Sequence, residues 1–258
     1  MGKTLEEGIA AFNRGDYKAA FGILGPLAEE GSAEAQNRLG QMYYGGHGVQ
    51  QDYAAAIRCY RKAAEQGHPD AQNNIGLMFY SGIVVEQDFA EAIRWYRMAA
   101  EQGSAYAQNN LGHMYKNGQE VPQDYEEAVR WYRKAADQGV AFAQFSLGGM
   151  YYNGLGVPQD YAEAEKWYRK ASEQGFGNAQ AVLGVMYSSG KGVPKDDVLA
   201  YMWFQLAAAR LPAKGQVTRD KAIANRDLVA SRMTPDQVAE AERLAKEWTS
   251  TKGTAEKM

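Results

Sequence analysis

The chain has 258 residues and a formal net charge of −3, from 28 lysine and arginine residues against 31 aspartate and glutamate residues. Apolar residues make up 45% and charged residues 23%, an ordinary globular composition that excludes wholesale disorder. The slight acidic excess argues against a nucleic-acid partner, and a single cysteine, Cys59, excludes an intramolecular disulfide or a cysteine-based metal cluster.

The sequence contains no run of about 18 apolar residues, so it predicts no insertion into a membrane. The first residues, from Met1 to Glu7, lack the apolar core of a signal peptide. We therefore expect a cytoplasmic protein for the chain as given, or an exported one if a signal peptide has been removed. Three histidines and one cysteine leave little material for a metal site, and we expect neither a metal nor another cofactor.

A helix pair is predicted at the amino terminus, over residues 1–31. Leu5, Ile9 and Phe12 recur at helical spacing, and a short loop separates them from a second apolar helix that begins near Asp16. The pair is shorter than the units that follow it. We interpret it as an amino-terminal cap, because the terminal units of stacked helical arrays are commonly atypical.

Five units of 36 residues follow, over residues 32–211, without an insertion or a deletion. One register is always glycine and comprises Gly40, Gly76, Gly112, Gly148 and Gly184. Another is always aspartate and comprises Asp52, Asp88, Asp124, Asp160 and Asp196. Strict self-similarity at such a period is typical of repeat proteins. Each unit contains two segments with apolar residues at helical spacing, which we call its first and second helix.

Each repeat also carries signals for the ends of its helices. The aspartate register predicts the N-cap of the second helix, where a carboxylate accepts backbone N–H groups. In three repeats a glutamate three residues later predicts a capping box; these are Glu91, Glu127 and Glu163. Gly67 and its equivalents suit the left-handed position after the second helix. In the loop between the helices, glycines such as Gly48 predict positive φ, and Val84 and Glu120 at the same register predict a different loop geometry.

The glycine register inside the first helix indicates close contact between helices, because each such glycine costs about 1 kcal/mol relative to alanine. A helix pair of this size cannot bury its apolar face alone, so the units must stack. The sequence therefore predicts an all-α fold, a right-handed solenoid of helix pairs.

After the repeats, residues 212–258 are predicted to form a helical cap and a frayed tail. One helix is expected from about residue 216 to residue 233. The Thr-Pro-Asp-Gln segment that starts at Thr234 is a capping-box pattern with proline at the first helical position. It predicts a last helix, and we expect the chain to fray after Thr249.

One unit, over residues 140–175, shows the full motif of the repeat. The motif residues are Leu147, Gly148, Tyr151, Gly154, Gly156, Val157, Pro158, Asp160, Ala164, Trp167, Tyr168 and Gly175. This motif resembles that of the Sel-like repeat (SLR) family, relatives of the tetratricopeptide repeat with a longer loop between the helices. The resemblance covers about residues 32–209 and is typical of bacterial members.

The resemblance implies a non-catalytic adaptor or scaffold that binds a protein or an extended peptide segment. In tetratricopeptide-like folds the first helices line the concave face, where we expect the partner to bind. One cysteine-rich branch of the family carries a disulfide in each unit and has a claimed penicillin-binding activity. Because this chain has Cys59 alone, it departs from that branch.

Two alternatives to a monomeric adaptor remain open. In the first alternative, the same groove binds a small ligand, such as a cell-wall fragment or a β-lactam, or has weak hydrolase activity. In the second alternative, the chain is an architectural module that dimerises through its carboxy-terminal helices. We favour a monomer, and a concentration-dependent mass separates these interpretations.

The sequence offers no strong candidate for catalysis, and we expect no enzyme. The glycine-rich loops follow no predicted strand and precede an aspartate that would repel phosphate at the helix start. A hydrolase would need a serine with a lysine or glutamate base, and no available serine lies in a Ser-x-x-Lys motif; these are Ser81, Ser146, Ser188 and Ser189. Cys59 occupies a tryptophan register, where we expect a buried core residue.

The candidate partner-binding residues occupy the registers of the first helix that core packing leaves variable. Aromatic residues among them would supply rigid anchors for a partner. The candidates are Asn37, Gln41, Tyr44, Asn73, Leu77, Tyr80, Asn109, His113, Lys116, Phe145 and Tyr152. The two other histidines, His47 and His68, are expected at the surface.

The asparagines of this set, Asn37, Asn73 and Asn109, lie one repeat apart and have two interpretations. Each amide offers both a donor and an acceptor, so the three could hold the backbone of an extended peptide. That arrangement would resemble the asparagine ladders of peptide-binding tetratricopeptide proteins. In the second interpretation they are tolerated polar residues of the inner helix face, without a partner role.

Overall fold

The structure, a computed structural model, describes residues 4–211 and 216–255. Within these ranges the chain forms fourteen α-helices and no strand, which confirms the all-α prediction. The helices are α1 (Leu5–Asn13), α2 (Tyr17–Glu29), α3 (Ala33–Gly45), α4 (Tyr53–Glu65), α5 (Pro69–Ser81), α6 (Phe89–Glu101), α7 (Ala105–Asn117), α8 (Tyr125–Asp137), α9 (Ala141–Asn153), α10 (Tyr161–Glu173), α11 (Gly177–Ser189), α12 (Asp197–Arg210), α13 (Gln216–Ala230) and α14 (Pro235–Ala255). Among the described helices, none combines the length and the apolar composition that crossing a membrane requires.

The chain divides into two compact units, Met1–Asp124 and Tyr125–Met258. In the first unit, which contains α1 to α7, each helix from α1 to α6 packs against the next one in the chain. In the second unit, α8 to α12 pack in the same sequential way, and α12 also contacts both α13 and α14. Packing of successive helix pairs against each other makes the fold an all-α repeat solenoid. The division falls inside the third repeat and coincides with neither residue 31 nor residue 211, the boundaries expected for the caps.

The two helices of a repeat meet where a glycine of the first helix faces an aromatic ring of the second. A Cβ atom added to Gly40 would lie 2.6 Å from the ring of Tyr60, and one added to Gly76 would lie 2.7 Å from the ring of Tyr96. Gly184 has the same relation to Phe204, at 2.7 Å. The glycine register therefore marks close helix contact, as the sequence predicts.

A glutamine at the start of each first helix joins neighbouring repeats. Gln36 Nε2 donates to the Ala28 carbonyl oxygen at 3.0 Å, which links α3 to the preceding second helix. Gln36 Oε1 accepts a hydrogen bond of 2.8 Å from Gln66 Nε2, at the end of the second helix of its own repeat. Gln72 and Gln102 form the equivalent bond at 2.7 Å. Each of these buried amides thus ties three helices together.

The second helix of the Asp88 repeat begins as predicted, but without the capping box. Asp88 Oδ1 accepts a hydrogen bond from the Glu91 backbone N–H at 2.9 Å, which confirms the N-cap. The Asp88 N–H donates to the Phe79 carbonyl oxygen at 3.0 Å, so the Glu91 side chain is not needed there. Glu91 instead pairs with Arg94, at 3.3 Å. The predicted capping box is wrong at this repeat because a carbonyl group of the first helix already satisfies the N-cap.

The same correction holds in the repeat of Glu163. The Asp160 N–H donates to the Tyr151 carbonyl oxygen at 3.0 Å. Glu163 Oε1 then accepts from Trp167 Nε1 at 3.0 Å. In the repeat of Glu127, the N-cap N–H also donates to a carbonyl oxygen of the first helix.

The loop between the helices depends on left-handed backbone positions. Gly48 has φ +69°, and a Cβ atom there would lie 2.6 Å from Tyr17. Glu120 keeps the left-handed conformation with φ +56°, although it has a side chain. Val84 does not adopt positive φ. The predicted difference in loop geometry is therefore confirmed at Val84 and wrong at Glu120.

The carboxy-terminal helices follow the predicted start signals. The Thr234 N–H donates to Gln237 Oε1 at 2.9 Å and Thr234 Oγ1 accepts from the Gln237 N–H at 3.3 Å, so the capping box is present. Arg232 forms two hydrogen bonds with the Asp197 carboxylate, at 2.6 and 2.7 Å, and these bonds lower the pKa of Asp197. The expected fraying after Thr249 is not seen, since α14 is helical to Ala255. Residues 212–215 and 256–258 of the expected cap and tail lie outside the described residues.

The glycine–aromatic contact generates a stability prediction. We expect Gly76→Ala to lower the free energy of unfolding by about 1–3 kcal/mol, because the new methyl group overpacks the buried Tyr96 ring. Gly22 provides a matched control, since it is helical and exposed and a Cβ atom there would meet nothing within 4 Å. Gly22→Ala should raise stability by about 0.4–1 kcal/mol. Denaturant unfolding followed by circular dichroism measures both, and a Gly76→Ala protein as stable as the wild type would contradict the prediction.

The left-handed backbone conformation of Glu120 leads to a second stability prediction. We expect Glu120→Gly to raise the free energy of unfolding by about 1 kcal/mol, because glycine adopts this conformation without the side-chain clash. Glu120→Ala is the control, since it removes the carboxylate and keeps the strain. If the alanine variant gains as much stability as the glycine variant, the cause is charge and not backbone conformation.

Candidate functional site

An apolar pocket of about 150 Å³ opens between α3 and α5 in the first compact unit. We call it the Tyr44–Tyr80 pocket; its lining residues are Tyr44, Tyr60, Asn74, Leu77, Met78, Tyr80 and Ser81. Tyr44 is 39% exposed and Leu77 is 42% exposed, so the mouth of the pocket presents apolar side chains to solvent. Tyr44, Leu77 and Tyr80 belong to the candidates from the sequence, and the structure brings these three together.

The rings of Tyr44 and Tyr80 each pack against an aromatic residue at the start of the next helix. The Tyr44 ring packs edge-on against Tyr53, the first residue of α4, with ring centroids 5.2 Å apart. The Tyr80 ring packs at a tilt against Phe89, the first residue of α6, at 5.3 Å. These contacts restrict the rings before any partner binds, which reduces the entropy that binding would cost.

Two side chains of the asparagine register, those of Asn37 and Asn73, form hydrogen bonds with the next repeat. Asn37 is fully buried and Asn73 is 6% exposed. Asn37 Oδ1 accepts a hydrogen bond of 3.1 Å from Asn74 Nδ2, and Asn73 Oδ1 accepts one of 2.9 Å from Asn110 Nδ2. Two of the three amides are thus committed to the adjacent first helix, which does not fit an exposed ladder that grips a peptide. Asn109 is half-buried, and its Nδ2 donates to Asn110 at 3.5 Å.

Two polar atoms of this register have no hydrogen-bond partner in the described part of the chain, Asn37 Nδ2 and Asn109 Oδ1. Leaving a buried polar group unpaired costs about 1–3 kcal/mol. Asn74 and Asn110, which supply the donors, were not predicted from the sequence. The sequence feature that could have predicted them is the pair of adjacent asparagines at 73–74 and at 109–110. The first asparagine of one pair, Asn73, bonds to the second asparagine of the next pair, Asn110.

Beyond Tyr80, the first-helix surface continues onto α7. The His113 ring lies edge-on to the Tyr80 ring, with centroids 6.1 Å apart. Burial and the Lys116 ammonium group lower the pKa of His113 below its ordinary value, which favours the neutral imidazole. Lys116 is half-buried and takes part in none of the ion pairs formed by the described residues. On α3, Gln41 accepts a hydrogen bond from Arg38 at 3.3 Å.

The other two candidates, Phe145 and Tyr152, lie in the second compact unit. Both are half-buried and pack against Tyr168, with ring centroids at 5.5 and 6.5 Å. Tyr152 also contacts Tyr161 at 5.0 Å, and Lys191 Nζ lies 5.7 Å from the centroid of the Tyr152 ring. This arrangement is an aromatic cluster with one cation at its edge.

The histidines and the cysteine outside the pocket have local structural roles. His68 was expected at the surface, but it is the N-cap of α5, and its Nε2 lies 2.7 Å from Glu34 Oε2. Burial raises the pKa of Glu34, but hydrogen bonds from His68 and Arg38 outweigh this effect and lower it overall. His47 is exposed and stacks on a tyrosine ring at 4.7 Å. Cys59 is half-buried, where full burial was expected, and burial raises the pKa of its thiol.

The described residues contain no group of three or more His, Cys, Asp or Glu side chains arranged to hold a metal ion.

The four serines considered as nucleophiles bond to groups that are not bases. Ser81 and Ser189 donate to backbone carbonyl groups of their own helices. Ser188 accepts from an arginine of the segment between α13 and α14, and Ser146 bonds to a tyrosine hydroxyl.

Comparison with known families and structures places these features in context. The family model described as the Sel1 repeat matches residues 33–68, 69–104, 105–140, 141–176 and 177–210. The crystal structure of a Sel1 repeat protein from Oxalobacter formigenes is 31% identical, covers 98% of this chain and 100% of that chain, and has a TM-score of 0.78.

Two further structures extend the comparison. A protective antigen present in uropathogenic Escherichia coli strains, which displays an SLR fold, is 30% identical, covers 95% of this chain and 60% of that chain, and has a TM-score of 0.59. An immunity protein from Pseudomonas aeruginosa is 20% identical, with a TM-score of 0.53 over 90% of this chain and 87% of that one, which shows a common fold alone. No curated protein matches the chain.

The asparagine bonds generate a prediction that separates their structural role from surface tolerance. We expect Asn73→Ala to lower the free energy of unfolding by about 1–3 kcal/mol, because it leaves the Asn110 donor unpaired at a buried contact. Asn153→Ala is the control, since Asn153 is an exposed asparagine near the end of α9. It should change stability by less than about 0.5 kcal/mol. Thermal or denaturant unfolding measures both, and equal stability of the two variants would show that the amide is not structural.

Proposed function

This chain belongs to the Sel1 repeat family, whose members are generally protein-interaction scaffolds, and from that premise we propose a finer function. The protein is a non-catalytic adaptor that binds a protein, through an extended peptide segment, on the surface of its first helices. The binding surface centres on the Tyr44–Tyr80 pocket. His113 and Lys116 extend it onto α7, and Phe145 and Tyr152 belong to a separate aromatic cluster.

The observation that carries this proposal is the pocket itself. Exposed large apolar side chains usually mark an interaction surface when they are grouped around a concave site. Tyr44 and Leu77 are grouped in this way, and Tyr80 is held beside them by Phe89. Tyrosine is among the residues enriched at the energetic centres of protein interfaces, because its rigid ring buries a large area.

The alternative function, a small-ligand or hydrolase site in the same groove, receives no comparable support. Sel1 repeat proteins are typically non-catalytic scaffolds. The one serine in the pocket, Ser81, donates its hydroxyl hydrogen to the Met78 carbonyl oxygen at 3.3 Å. A nucleophilic serine would instead donate to a base.

A comparison of two exposed leucines tests the proposal. Leu77→Glu places a charge at the mouth of the pocket, and we expect it to abolish capture of the partner from a lysate of the source organism. Leu228→Glu is the matched control, because Leu228 on α13 is 63% exposed and lies outside the pocket. Purified wild-type and variant proteins serve as baits, and quantitative mass spectrometry measures the proteins retained.

Retention by the wild type and the Leu228→Glu bait, with loss from the Leu77→Glu bait, supports the adaptor. Equal retention by all three baits contradicts binding at the pocket. Circular dichroism of the variants confirms that a loss reflects the surface and not unfolding. An empty wild-type bait, under conditions that retain a known partner of another scaffold, contradicts the adaptor function.

A further inference from the structure

We propose that the Tyr44–Tyr80 pocket and Lys116 act together and recognise a short acidic motif. An apolar side chain of the partner occupies the pocket, and an aspartate or glutamate about three residues away pairs with Lys116. This inference rests on the proposed function and adds to it the chemistry of the bound segment.

The size of the pocket limits it to one side chain. Its volume is about 150 Å³. An apolar cavity of roughly this size holds one benzene-sized group. The lining is mainly tyrosine, leucine and methionine, with Asn74 and Ser81 as polar members. Both of these direct a hydrogen toward the protein, Asn74 to Asn37 and Ser81 to Met78. One leucine, methionine or phenylalanine side chain therefore fits the pocket better than a polar one.

The charges near the pocket identify the second feature of the partner. On α3, Glu34 and Arg38 form an ion pair at 2.7 Å, so their charges largely cancel. On α5 the acidic residue is Asp70, which lies ten residues before Tyr80, about 15 Å away along the helix. On α7, Lys116 is the cation, and no ion pair of the described residues uses it. Of the charged side chains on α3, α5 and α7, the one that shares the register of Tyr80 is thus positive.

The path from the pocket to Lys116 is continuous. Tyr80 lines the pocket and packs against His113, and His113 lies one helical turn before Lys116 on α7. The Tyr80 hydroxyl also lies 3.5 Å from Gln119 Oε1, in the loop after α7. Burial and the Lys116 ammonium group lower the pKa of His113, which favours an uncharged ring beside Tyr80 and leaves the positive charge on Lys116.

The geometry also predicts the spacing within the motif. Tyr80 and Lys116 occupy the same register of successive first helices, α5 and α7, which contact each other. Packed helices lie about 8–10 Å apart. An extended peptide advances about 3.3 Å per residue, so it crosses this distance in about three residues. Since either chain direction satisfies this distance, the acidic residue follows or precedes the apolar one.

Synthetic peptides test the motif on the full chain. The probes are fluorescein-labelled twelve-residue peptides of glycine and serine that contain one leucine and one glutamate, one to six residues apart in either order. Matched peptides carry glutamine in place of glutamate. Fluorescence polarisation measures their affinities. We expect the tightest binding at a separation of three, by about threefold over the glutamine peptide, as one exposed ion pair provides. The preference for glutamate should shrink at high salt.

Variants assign this preference to its residues. Lys116→Gln should bind the glutamate and glutamine peptides equally, and Leu77→Glu should lose both. Lys18→Gln is the matched control, because Lys18 is an exposed lysine of the same unit, on α2, and should keep the preference. A glutamate preference that survives Lys116→Gln, or that is independent of separation, overturns the inference.

The outcomes also separate this inference from the adaptor function. If the glutamine and glutamate peptides bind the wild type equally and Leu77→Glu abolishes both, the acidic motif is wrong and the pocket remains a peptide site. If no peptide binds, while the lysate partner is still lost from the Leu77→Glu bait, the short motif is wrong and the adaptor function stands.

Discussion

The contact between a glycine of the first helix and an aromatic ring of the second is the constraint on which every other feature of a repeat depends. At Gly76, the ring of Tyr96 lies so close that any larger residue would push the two helices apart. Because this contact fixes the distance between the helices, the exposed registers of the first helix can vary without loss of the core. Function is therefore carried by residues that packing does not specify.

The two compact units use this freedom differently. In the first, buried amides join Asn37 to Asn74 and Asn73 to Asn110, and the surface beside them opens into an apolar pocket. In the second, the register of Asn73 holds Phe145, which packs among aromatic rings. A hydrogen-bonded polar contact keeps two helices in one alignment and leaves neighbouring surface uncovered, whereas large aromatic rings fill the equivalent space.

The sequence predicted the fold almost completely, because its signals are local. The glycine and aspartate registers and the capping pattern at Thr234 mark helix ends that depend on a few neighbouring residues.

Contacts between helices were harder to predict. The capping box at Glu91 failed because a carbonyl group of another helix reaches Asp88 first. The burial of Asn73 was missed because its acceptor is used by Asn110 of the next repeat, and periodicity alone does not show which neighbouring side chains pair. Tyr44, Leu77 and Tyr80 could be predicted as surface candidates because they lie in registers of the first helix that vary between repeats, whereas Tyr60 of the pocket was not predicted.

The glutamine bonds between repeats have a consequence for how such a chain changes in length. Gln36 and Gln72 each donate to a main-chain carbonyl oxygen of the preceding repeat, and a carbonyl group is present whatever side chain its residue carries. Duplication or deletion of a whole 36-residue unit would therefore restore this joint at the new junction without any compensating substitution. A lineage can lengthen or shorten the array by recombination within its gene, and each resulting protein inherits a junction that is already satisfied.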